Sequence, residues 1–212
     1  EGFDSFKIKV GGGSLKDDII RVTKIREIVG NHALLSADAN QAWDRETAIN
    51  FVKKVGSILD FIEQPVMGSD LDSMRDVARA SNSPIAADEG LHTIEDIISH
   101  NNSGAASGGS LKMIKLGGVL KALEAAQLST SLGMKINLAG KICETSISSS
   151  AVSHLAASIP QIDWGLSITC QYAAGDVVKN PINISSGKVT VPKGYGLGME
   201  VDEQELSKYV KR

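Results

Sequence analysis

Lys7 and Lys9 stand two residues apart in the run FKIKV. On an extended strand, residues i and i+2 share a face, so both ammonium groups project to the same side. Side by side in a desolvated place, two such groups favour the neutral form of one, which makes a lysine a usable base near neutral pH. Three acids follow, Asp38 in LLSADAN, Glu63 in DFIEQP and Asp88 in IAADE, each ending an apolar run, at intervals of 25 and 25 residues. Buried carboxylates need cations, and oxygen ligands drawn from separate strands suit a hard ion such as Mg²⁺. Lys112 in SLKMIKLGG comes 24 residues after Asp88, which puts it on the wall opposite Lys7 and Lys9. Lys115 competes for that place, but the period favours Lys112, since Lys115 falls close to the turn at Gly117 and Gly118. One acid at a strand end would ordinarily cap the next helix; three at one period, flanked by lysines, argue jointly for a site.

The elements that must position these groups alternate strictly. β-rich runs at 6–10, 34–38, 59–63, 85–88, 111–114, 135–138 and, more weakly, 162–164 are separated by helical periodicity over about 15–29, 45–57, 70–80, 93–99, 119–132 and 146–158. Strands joined through helices must pair in parallel, which gives an α/β class with a covered sheet. An open doubly wound sheet would scatter the acids about a switch point, whereas a barrel converges all its strand ends on one mouth. The glycines at 11–13 read as a strand-to-helix turn, because neither nucleotide fingerprint fits their spacing. The segment NNSGAASGGS at 101–110 reads as an elaborated surface loop.

The 212 residues, 42% apolar and 22% charged with a net charge of −3, suit one soluble domain spanning 1–212. That charge leaves no basic footprint for nucleic acid or an anionic membrane. No apolar run reaches bilayer-spanning length, and the start lacks a secretory pattern. Cys143 and Cys170 read as reduced core thiols in a cytoplasmic protein.

With these residues in place, the chain resembles the muconate lactonizing enzyme subgroup of the enolase superfamily over nearly its whole length. The resemblance rests on Lys7 and Lys9, the three acids, Lys112 before Gly117 and Gly118, and the later motifs ETS at 144–146, NPI at 180–182 and GLGMEVDE at 196–203. It implies a modified TIM barrel of the (β/α)7β type, here lacking the first strand and the N-terminal α+β capping domain. It also implies Mg²⁺ held by Asp38, Glu63 and Asp88, with Lys9 as base on one face of the substrate and Lys112 as its counterpart on the other. The implied chemistry is abstraction of the proton α to a substrate carboxylate through an enediolate, leading to cycloisomerisation, racemisation or epimerisation. A dehydratase resembling o-succinylbenzoate synthase and an inactive fragment are the alternatives. Asn40, Glu89, Lys141 and Glu144 are expected near the metal or substrate. His32, His92, His100 and His154 are expected in surface or packing roles, and Tyr195 stands where the family commonly has proline. The partners expected are a small carboxylate substrate, no nucleic acid and no membrane, with a homo-oligomer for the full-length protein.

Overall fold

The computed structural model describes residues 2–210. Seven parallel strands form one sheet in chain order: β1 (Ser5–Lys9), β2 (Leu34–Asp38), β3 (Phe61–Glu63), β4 (Ile85–Ala87), β5 (Gly108–Leu111), β6 (Lys135–Ala139) and β7 (Leu166–Ser167). Every neighbour pair is parallel, so each connection crosses over through a helix. The crossovers are α1 (Leu15–Val29), α2 (Arg45–Val55), α3 (Leu71–Ala80), α4 (Ile94–Ser103), the one-turn α5 (Met113–Leu116) followed by α6 (Val119–Ser131), and α7 (Ser146–Ser158). A hairpin of β8 (Ile184–Ser185) and β9 (Lys188–Val189) and a short α8 (Glu203–Ser207) close the chain. Among the described residues no helix is long and apolar enough to cross a membrane.

Helix starts follow from local chemistry. Ser14, Asp44 and Asp70 each accept a hydrogen bond from the backbone N–H three residues on, and Thr93 with Asp96 forms a reciprocal capping box. Each such cap stabilises a helix start by about 1 kcal/mol.

The sheet has two unlike faces, set by the two-residue period of a strand. Ile8, Leu35, Ala37, Ile62, Ile85, Ala87, Leu111, Ile136 and Leu138 point outward and join the helices in the main apolar core. The alternate residues line the inside of the curl, where Phe61, Ala86 and Trp164 form a separate small cluster with Leu34 packed against it. The rings of Phe61 and Trp164 stack there with centroids 4.4 Å apart. Curling is visible in contacts across the interior: Lys7 of β1 reaches Asn137 of β6 at 3.1 Å. The sheet is an α/β half-barrel with β1 and β7 as its edges.

Two segments differ from the sequence reading. The expected surface loop at 101–110 holds the end of α4 and most of β5, and the strand expected at 111–114 runs from Gly108 to Leu111 instead. Its glycines look like a loop in sequence but are required by packing: a Cβ on Gly108 would stand 2.5 Å from the Trp164 ring. Likewise the last strand lies at Leu166–Ser167 rather than 162–164, because Trp164 is spent on filling the barrel floor. Cys170 is buried as expected, but Cys143 is exposed and is not a core thiol.

Replacing Gly108 with alanine forces its methyl against Trp164, so urea denaturation should show a loss of about 1–3 kcal/mol of stability. An unchanged midpoint would mean that the floor of the curl is not packed as described.

Candidate active site

Register brings the charged groups together. Lys9 pairs across the sheet with Asp38 and Asp38 with Glu63, so one ammonium and two acids lie in one row across three strands. Glu63 is opposite Ala86, and Asp88 stands two residues beyond it on the same face. Counting by twos from Gly108, the inward side continues through Ser110 to Lys112. All of these groups sit at the C-terminal ends of parallel strands, where barrels keep their chemistry.

Carboxylate oxygens of Asp38, Glu63 and Asp88 lie within 4.8 Å of one another, and all three residues are buried. Each has its own cation. Lys9 donates to Asp38 at 2.5 Å, Lys7 donates to Glu63, and Asp88 receives Lys112 at 2.5 Å and Lys115 at 2.6 Å. Burial raises the Glu63 carboxyl above its ordinary acidity range; Lys7 opposes this, while the Asp38 and Asp88 charges add to it. Burial acts the same way on Asp88, but Lys115 and Lys112 outweigh it and hold that carboxyl low. Lys112 sits above its usual range because the pull of Asp88, Glu63 and Asp38 overcomes burial, whereas for Lys115 burial wins and the value is lowered. Among the described residues, buried Glu63 Oε1 has no hydrogen-bond partner. An orphaned anionic oxygen beside two other buried carboxylates is a donor set that fits a hard divalent ion.

The lysine pair departs from the expectation of two buried neighbouring ammonium groups. Lys9 keeps 67% of its side chain exposed toward the mouth, while Lys7 lies deeper, over the Phe61 ring and against Asn137. Each ammonium meets a different carboxylate, so the two are separated by acids. Of the neighbouring positions, Asn40 accepts from Lys9 at 2.6 Å and donates to Glu89 at 2.9 Å, linking that lysine to the acid beside Asp88. Glu144 is set apart: it takes the Ser148 hydroxyl at 2.8 Å and borders a hollow of about 390 Å³ with Met113, Gly117, Gly118, Ala139 and Val152. Lys141 is exposed at the rim, where its carbonyl, not its side chain, is engaged, by Thr169 at 2.5 Å. Lys115, set second to Lys112 by spacing alone, reaches Asp88 as well.

Several supporting residues carry no signal of their own in sequence. Asn137 is buried inside the run KINLA; it accepts from Lys7 and from Ser110, and donates to the carbonyls of Trp164 and Gly165 at 2.9 and 3.0 Å. Gln64 is wholly buried, with its Oε1 accepting the N–H groups of Asp88 and Gly90 at 2.8 and 3.1 Å. Asp18, buried on α1, accepts the Gly11 N–H at 2.8 Å and pairs with Arg21, which in turn donates to the Lys9 carbonyl at 2.9 Å. Asn40, Gln41 and Gln64 all hold positive φ, of 44°, 66° and 37°, so backbone strain gathers at the mouth. Only a lone polar residue within an apolar run could have hinted at Asn137.

Parallel strands covered by helices, with an acid cluster and lysines at the strand ends, define an α/β half-barrel with its charged groups gathered at one mouth. The chain belongs to the family described as enolase C-terminal domain-like, whose model matches residues 1–205. It is 31% identical to muconate cycloisomerase 1 of Pseudomonas putida over 209 residues, covering 98% of this chain and 56% of that protein. It is also 30% identical to the L-Ala-D/L-Glu epimerase of Bacillus subtilis over 205 residues, covering 94% of this chain and 55% of the epimerase. The solved muconate lactonizing enzyme of Pseudomonas putida superposes with a TM-score of 0.94 at 29% identity, over 99% of this chain and 59% of that one. The chain thus spans a little over half the length of the relatives it matches, corresponding to their C-terminal portion.

The histidines take no part in the acid cluster. His100 is buried on α4, its Nδ1 donating to the Asp96 carbonyl at 2.8 Å and its Nε2 packed toward Gly90 without a partner. Burial lowers its pKa; Asp96 pulls it back, and the Lys115 charge adds to the lowering. The folded state therefore refuses a proton that the unfolded chain accepts below about pH 6.5, and the contribution is complete above that pH and lost as pH falls through the window beneath it. Urea melts from pH 7.5 to 5 should show stability declining less steeply in His100→Gln than in the parent; equal slopes would count against this assignment.

Proposed function

We propose that this chain is the catalytic portion of a Mg²⁺-dependent isomerase that removes the proton α to the carboxylate of a small substrate. The observation that carries the reading is the shared cluster: Lys9 and Lys112 meet opposite ends of one group of buried acids. Asp38, Glu63 and Asp88 would hold the ion. Once bound there, Mg²⁺ would supply charge to the substrate carboxylate, on whose oxygens negative charge gathers as the α-proton departs.

The chain's own residues account for the rest. Lys9 is the exposed base, steered by Asn40 and free to swing from Asp38 to the substrate α-carbon. Lys112, at the other end of the cluster, serves the opposite face as acid or base. Lys7 stays fixed between Glu63 and Asn137 and contributes charge rather than proton transfer. With Glu89 counted, four lysines face four carboxylates, so the lysines balance the acids and a bound ion would add the positive charge that favours an anionic substrate. Bases on two faces suit racemisation or epimerisation, and the same carbanionic species leads to cycloisomerisation where a double bond is in reach. Relatives named as cycloisomerase and epimerase support both outcomes for this barrel.

In the full-length protein, NMR in D₂O should show α-proton exchange of a small carboxylate substrate that requires Mg²⁺ and stops on chelation. Lys9→Ala should slow exchange by about 10²–10⁴-fold. Exchange indifferent to both chelator and Lys9→Ala would sink the proposal.

A further inference from the structure

We infer that Lys115 is a positioning residue for Asp88, distinct in role from Lys112, and that it keeps Asp88 in place when the cluster takes up its ion. This rests on the metal-site reading above. Lys112 is the N-cap of α5 and Lys115 lies within that turn, its N–H bonded to the Lys112 carbonyl at 3.1 Å, and both side chains reach Asp88. Gly117 and Gly118, at φ of 91° and 117°, end the turn immediately after and fix its direction.

Their holds on Asp88 differ in kind. Lys112 has one acceptor there, Oδ2 at 2.5 Å. Lys115 has two: Oδ1 at 2.6 Å and the backbone carbonyl of Asp88. A carboxylate oxygen committed to a cation is a weaker acceptor for an ammonium, but the peptide carbonyl is unaffected. Lys115 therefore keeps its anchor in the loaded site, while Lys112 loses its only one on Asp88 and is released toward the substrate. Exposure follows the same division, with 13% of the Lys115 side chain accessible against 24% for Lys112. The backbone of Asp88 is held from other sides too, its N–H by Gln64 and its carbonyl by Leu91 N–H at 2.9 Å, so Lys115 completes a clamp that sets the direction of the carboxylate.

Mn²⁺ affinity of the substrate-free full-length protein, read by electron paramagnetic resonance, separates the roles. Removing a competing cation should tighten Mn²⁺ binding, so Lys112→Met should bind as tightly as the parent or better. Removing a positioning group should weaken it: Lys115→Met should lose about 10–100-fold. Lys115→Gln, which keeps a donor for the carbonyl, should recover part of that loss and guards against a methionine variant that misfolds. Mn²⁺ binding by Lys115→Met as tight as or tighter than the parent, or by Lys115→Gln no tighter than by Lys115→Met, would overturn the inference and leave the metal site standing. A parent protein that binds no Mn²⁺ would overturn the metal site and this role together.

Discussion

Three carboxylates held within 4.8 Å of one another, out of contact with water, are the constraint on which the structure turns. Each buried ion carries a desolvation penalty of several kcal/mol, and their mutual repulsion adds to it. The fold answers with a cation for each: Lys7 for Glu63, Lys9 for Asp38, and two lysines for Asp88. The answer is incomplete at Glu63, whose Oε1 has no partner and whose acidity is weakened by burial and by its acidic neighbours. That unpartnered oxygen is the feature of the cluster on which the metal-site proposal leans.

Holding this cluster dictates how the sheet uses its two faces. Outward residues are apolar because helices cover them; inward ones, apart from Leu34, Phe61 and Trp164 at the floor, are small, polar or charged. Gly108 and Ala86 make space for the stacked Phe61 and Trp164 at the floor, and Asn137 ties β6 to Lys7 and to the carbonyls before β7. Apart from Glu63 Oε1, the polar layer above that floor is hydrogen-bonded; it holds Lys7 between Glu63 and Asn137 and leaves Lys9 largely exposed. Stability and function meet at this layer, since the same hydrogen bonds that hold the curl also aim the lysines.

Relatives with different reactions share this half of their chain. A cycloisomerase and an epimerase match it at nearly equal identity, so this half of the chain does not by itself separate the two. The hollow beside Glu144 is lined by none of the clustered acids or their lysines.

What the sequence determined by itself was the period. Acids spaced by 25 residues, each after an apolar run, place themselves at successive strand ends, because a crossover helix and its two turns consume a nearly constant length. For the same reason Lys7 and Lys9 share a face, and the helix at 146–158 could be bounded from pattern alone. Tertiary structure decided what local pattern does not encode. Gly108 and Gly109 read as loop until Trp164 and Leu91 are seen filling the space a side chain would take. Lys115 read as a turn residue until Asp88 is seen to accept it through both side chain and backbone. Asn137, Gln64 and Asp18 gain their roles only from partners far away in the chain, and a hydrogen bond between distant residues leaves no periodic trace in either one's neighbourhood.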